Sequence, residues 1–244
     1  MFNLPQTLVV ALSVSIIPAI SAAYARRNRE LAQRTVNAAL RIASLIALPS
    51  AAGFLVLAGP ILDLIYYAKP EDSATAAPLL TILGAAVFFV AMVSLTNSIL
   101  QAVGRVYVPV YTMLIGGGVK LAVNYVLVGT PAFNISGAPI GTALCYAVIT
   151  LLNLIAIHRV GLPIAYAKVY ARPAAAAALM GAFTWLIRDP VCALAGGRWG
   201  VLAVIALSAV FYGLMLLAVR ALPREDVLLL PKGDKIAKIL RLRG

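Results

Sequence analysis

Charge is scarce in this chain. Only 11% of its 244 residues are Asp, Glu, Lys or Arg, against about 25% in a soluble globular domain. Acidic residues are scarcer still, with eight carboxylate side chains, and there are only one histidine and two cysteines. Each shortage excludes something. Cys145 lies in an apolar run and Cys192 in a stretch read as loop, so the pair suggests neither a disulfide framework nor a metal site. Hydrolases and transferases need converging acids, bases, nucleophiles or metal ligands. The lone His158 falls at the end of an apolar run. Glu30, Asp63, Glu71, Asp72, Asp189, Glu225, Asp226 and Asp234 fall in loops, in the tail or at run ends. No Gly-rich phosphate loop is present either, so the chain is not expected to be an enzyme and calls for no cofactor. The first 25 residues lack a charged leader, and their apolar run is too long for the core of a signal peptide.

Apolar residues are what is abundant. They make up 63% of the chain, and the mean hydropathy is +0.99, too much for one aqueous core to bury. The expected solvent is lipid. A bilayer-spanning helix needs about 20 mostly apolar residues, and seven such runs can be drawn. They are Met1–Ala25, about Arg41–Leu62, a stretch within Ala74–Val103, about Tyr107–Val128, about Ala138–Ile157, a short run from Pro173 to Arg188, and about Trp199–Val219. Pro49 and Gly53 are expected to break the second, and Gly59-Pro60 to close it. The expected fold class is therefore all-α, a polytopic membrane protein of about seven transmembrane helices.

The cations set its orientation. Lys and Arg number 20 and the net charge is +12, which in a soluble protein would suggest nucleic acid. Here they sit between apolar runs, so topology is the better reading and no nucleic-acid partner is expected. Arg26, Arg27, Arg29, Arg34, Arg105, Arg159, Lys168, Arg172 and the seven cations from Arg220 onward fall on one side. Only Lys69, Arg188 and Arg198 fall on the other, while Arg41 and Lys120 lie within spans. The excess of cations predicts a cytoplasmic C-terminus and an external N-terminus. In the tail, 221–244, Lys235, Lys238 and Arg241 alternate with Ile236, Ile239 and Leu240. That pattern fits a basic amphipathic helix on anionic membrane lipids, or equally a solvated charge run.

Polar groups inside spans are the candidates for function. A mid-span charge costs at least ~2.5–3.5 kcal/mol on insertion scales and usually faces a cavity or a partner. Lys120 is such a charge, with Asn124 one turn later on the same face. Together they suit an anionic head group such as a diphosphate. Arg41, nearer its span end, is expected to snorkel to the interface. Asn97 and Gln101 repeat the i, i+4 pairing in the third span, and Asn153 stands alone in the fifth. Such residues more often join helices than touch substrate. Gly116-Gly117-Gly118 permits close helix approach or local unwinding.

Several segments are recognisable together. They are Asn3-Leu4-Pro5 with Ile17-Pro18-Ala19-Ile20-Ser21, then Ala47-Leu48-Pro49-Ser50-Ala51-Ala52-Gly53, then Ala58-Gly59-Pro60-Ile61-Leu62. Lys120 to Asn124-Tyr125-Val126-Leu127, Asn134-Ile135-Ser136-Gly137-Ala138 and Asp226-Val227-Leu228-Leu229-Leu230-Pro231-Lys232-Gly233 follow in order. The set resembles the multidrug/oligosaccharidyl-lipid/polysaccharide exporter superfamily, in its stage V sporulation protein B-like and lipid II flippase branch. The resemblance implies two six-helix bundles around a central cavity, with two extra C-terminal helices, in a bacterial plasma membrane. It implies alternating-access transport of lipid-linked saccharide or peptidoglycan precursors. This chain would match the C-terminal half, with the N-terminal half as its missing partner. Residues 1–160 would be an incomplete second transport bundle of five spans, resembling that of a MATE-like transporter. Residues 161–220 would be two additional spans, and 221–244 the cytoplasmic tail. The cavity wall would come from the first and second spans, with the fourth as a further candidate. The alternatives are a drug/cation antiporter of the same superfamily, or a non-transporting membrane scaffold or fragment. Lys120, Asn124 and Arg41 are the substrate-binding candidates, and Asn97, Gln101 and Asn153 the packing or cavity residues.

Overall fold

The computed structural model describes residues 4–66, 70–131 and 133–219, and the basic tail lies outside the described residues. Among the described residues seven α-helices run in order: α1 (Leu4–Ala25), α2 (Arg29–Ile65), α3 (Pro70–Ala102), α4 (Tyr107–Val128), α5 (Gly137–Arg159), α6 (Arg172–Ala195) and α7 (Gly197–Ala218). All seven are long and apolar enough to cross a membrane. Large apolar side chains point outward along them, among them Val14, Leu121, Tyr125, Trp185 and Leu194. Such a surface is stable only against lipid or another apolar body. The chain is an all-α, multi-pass membrane protein.

Sharp caps make the connections short. α1 ends with the Asn28 amide bonded to the Ala23 carbonyl and Arg27 to Tyr24, with Arg27 itself at φ 56°. This is the Schellman arrangement, here without the glycine it normally uses. The Asn28 side chain then accepts from the Leu31 amide at 3.0 Å and starts α2. α2 thus begins at Arg29, well before the expected second span at Arg41, and Arg29 and Arg34 are helical rather than in a loop. Glu30 and Arg34 pair at 2.7 Å across one exposed turn, which supports this polar extension. At 37 residues α2 is about 55 Å long, well beyond the ~30 Å hydrocarbon core.

Pro49, Gly53 and Gly59-Pro60 neither break nor close α2, contrary to the expectation. A proline removes the bond to the carbonyl four residues back. For Pro49 that is Leu45, and the buried Tyr212 hydroxyl of α7 donates to it at 2.9 Å. A neighbouring helix supplies the missing donor, which is how membrane helices tolerate proline. α6 likewise continues past Arg188 to Ala195, so Cys192 is helical and not in a loop. α4 runs unbroken through Gly116-Gly117-Gly118, so no unwinding occurs there.

The main core lies among α1, α2, α3 and α5, where Ile20, Leu40, Met92, Leu95, Ile99 and Ile157 are buried. α4 leans on α5 rather than on α3. α6 and α7 pack on each other and reach the rest through α2, around Ala176, Ala177, Met180 and Tyr212. Hydroxyls within the core bond back to their own helix, Ser44 to the Leu40 carbonyl and Thr96 to Met92, at 2.7 and 2.8 Å.

Candidate functional site

The face of α4 that meets α5 carries Lys120 and Asn124. Small residues set this contact. A Cβ on Gly116 would collide with the Ile149 side chain, and one on Gly141 would collide with Asn124 Oδ1. One on Gly137 would stand 2.8 Å from the Leu127 Cβ. The pairings 116–149, 124–141 and 127–137 show α4 and α5 antiparallel and in close approach, as small-residue interfaces allow. Asn124 therefore lies over Gly141, and its Oδ1 is buried with no hydrogen-bond partner. Lys120, one turn earlier, is half-buried. It makes no hydrogen bond or ion pair with any described residue. By helix rise its Cα sits about 12 Å from the Val128 end of the span. An ammonium and an unpaired amide oxygen thus share one turn within the hydrocarbon zone.

The other polar residues meet elsewhere. Asn153 is fully buried on α5, and its Nδ2 donates to Asn97 Oδ1 at 2.7 Å and to Thr96 Oγ1 at 3.0 Å. Its Oδ1 accepts from the Thr112 hydroxyl of α4 at 2.8 Å. Asn153 is not alone, as its sequence position suggested, but joins α3, α4 and α5 in one knot. Asn97 also contacts Met113 Sδ at 3.9 Å. Gln101 is exposed in the last turn of α3, outside the knot. Arg41 is half-buried on α2, which is not a packing neighbour of α4, so the structure does not bring it together with Lys120. Thr96 and Thr112 were missed from sequence because a lone hydroxyl within an apolar run gives no pattern.

A groove of about 470 Å³ opens between α1, α2, α6 and α7. Leu8, Phe54, Leu57 and Ile205 line it, with Thr184 and Ser208 bonded to each other at 2.7 Å in its wall. This groove is shared by the first two helices and the last two.

Against known proteins, the family described as "Lipid II flippase MurJ" matches residues 1–218. The chain belongs to the MurJ family. Among curated relatives, stage V sporulation protein B of Bacillus subtilis (strain 168) is 24% identical over 232 residues, 95% of this chain and 44% of that protein. Of solved structures, lipid II flippase MurJ in an inward closed conformation superposes with a TM-score of 0.74 at 16% identity, covering 88% of this chain and 44% of that one. A MATE protein in a bent conformation gives 0.56 at 20% identity, covering 96% and 59%. These likenesses establish the fold of the exporter superfamily. The chain spans less than half the length of the sporulation protein and of the MurJ chain it matches.

Proposed function

We propose that this chain forms one wall of a membrane flippase for lipid-linked anionic precursors, saccharide or peptidoglycan in type, operating by alternating access with its N-terminus outside and C-terminus inside. The observation that carries the reading is the half-buried Lys120 without a partner among the described residues. A charge is stable within the hydrocarbon zone when it faces water or a counter-charge, and the diphosphate of a polyprenyl-linked sugar supplies one. The unpaired Asn124 oxygen beside it suits a sugar or phosphate hydroxyl. The groove along α1, α2, α6 and α7 offers apolar room for the prenyl chain of the same substrate. MurJ membership supports a lipid-linked substrate over a drug or organic cation. The remaining wall would come from a further bundle, as in the longer relatives.

The test is translocation of a fluorescent polyprenyl-diphosphate saccharide in proteoliposomes made with the natural protein that carries these residues. Activity that falls in Lys120→Ala and partly returns in Lys120→Arg supports the reading. Unchanged activity in Lys120→Ala contradicts the site, and transport of organic cations instead of the lipid contradicts the substrate class.

A further inference from the structure

The packing order of the helices gathers basic residues at one end of the bundle. The ends of α1, α3 and α5 and the starts of α2, α4 and α6 meet there. Gln33 on α2 donates to the Pro163 carbonyl at 2.9 Å, and Gly161 lies against the Arg29 guanidinium. Two of these cations stand over a cleft. It has a volume of about 460 Å³ and lies between α3, α4 and α5, with Arg105 and Arg159 at its mouth and Val108, Ile115, Leu152 and Ile155 among its walls.

Local structure places both arginines. α3 stops in a Schellman cap, with the Arg105 amide bonded to the Leu100 carbonyl at 2.8 Å and Gly104 at φ 80°. The left-handed turn at Gly104 carries Arg105 from the end of α3 to the start of α4. Arg159 is the last residue of α5, and the antiparallel pairing of α4 with α5 brings that end to the start of α4. Neither guanidinium forms a hydrogen bond or ion pair with a described residue. The only described acid at this end, Glu30, is paired with Arg34. From the arginines the cleft runs down α4 to Ile115 and back along α5 to Leu152, about 10–15 Å of helix rise. That is about one leaflet of a ~30 Å hydrocarbon core.

A cationic mouth at the membrane edge over an apolar slot one leaflet deep fits one class of molecule. We propose that this cleft binds an anionic phospholipid, its phosphate held by Arg105 and Arg159 and an acyl chain lying against Ile115, Leu152 and Ile155. Arginine suits the phosphate because its planar fork donates in pairs. The lipid fills the gap that remains because α4 packs mainly on α5 and only lightly on α3.

The test uses the natural protein in phosphatidylcholine vesicles, with Trp185→Phe and Trp199→Phe and a reporter from Ile155→Trp. Brominated phosphatidylglycerol should quench the reporter at a membrane fraction roughly tenfold to thirtyfold lower than brominated phosphatidylcholine. Arg105→Gln with Arg159→Gln should erase that preference, and the paired lysine replacements should keep part of it. Arg26→Gln with Arg27→Gln, which removes the same charge from the same end, should leave it intact. Equal quenching by both lipids overturns the proposal, as does an equal loss in the Arg26 and Arg27 control. Displacement of the quench by inorganic diphosphate would assign the arginines to a soluble anion and would also overturn it.

Discussion

Two polar clusters within spans, Asn153 with Asn97 across α5 and α3 and Lys120 with Asn124 on α4, have opposite surroundings. Asn97 is tied into a knot in which Asn153 uses both its amide oxygen and its amide nitrogen on Thr112, Thr96 and Asn97. Lys120 and Asn124 face a close helix contact, yet the ammonium and the amide oxygen have no partner among the described residues. In water that difference would mean little. In lipid an unsatisfied polar group costs several kcal/mol, so a saturated cluster reads as structure and an unsaturated one as a place held for a ligand.

Breaking the unsaturated pair should show first in transport. Lys120→Ala should lower translocation about tenfold to hundredfold, the span of one or two charge-assisted hydrogen bonds, with no drop in melting temperature in detergent. A parallel loss of melting temperature would show that Lys120 is structural instead. Breaking the saturated knot should act on stability. Asn153→Leu should cost about 1–3 kcal/mol, seen as a lowered melting midpoint, because it leaves the Asn97 amide oxygen without its donor and cuts the links through Thr96 and Thr112. Gly116→Val should cost a similar ~1–3 kcal/mol by forcing α4 away from Ile149.

Smaller effects probe the joints of the fold. Tyr212→Phe should cost about 1 kcal/mol, and the cost should shrink in a Pro49→Ala background, where the backbone amide reclaims the Leu45 carbonyl. A double-mutant cycle with no coupling would remove the link between α7 and the proline of α2. The smallest is Arg27→Gly, which should stabilise by about 0.5–1 kcal/mol by relieving a left-handed side-chain position.

The number and order of the spans were legible because each apolar run is long enough to cross a bilayer by itself. The length of α2 was not. Its first three turns are cationic and read as loop, while the cap at Asn28 and the Glu30–Arg34 pair make them helical. Pro49 carries a stop signal in sequence, and nothing near it reveals that a tyrosine 167 residues from Leu45 would satisfy the freed carbonyl. The same limit hid the knot. Asn153 and Asn97 are 56 residues apart, and periodicity sees only neighbours along one helix. Lys120 and Asn124 were visible because a cation in an apolar run is rare, whereas the arginines of the α3–α5 cleft were read as topology signals until the helices were packed.

Whether water and substrate reach position 120 decides between a structural lysine and a binding one. In the natural protein with Cys145→Ala and Cys192→Ser, Gly117→Cys, three residues before Lys120 and with open space for a side chain, would be treated in intact vesicles with a charged, membrane-impermeant thiol reagent. With a binding site at Lys120 this cysteine should label, and a polyprenyl-diphosphate saccharide should slow the labelling where a neutral prenol does not. No labelling from either side of the membrane, or labelling that the diphosphate lipid leaves unchanged, would contradict a substrate site at Lys120.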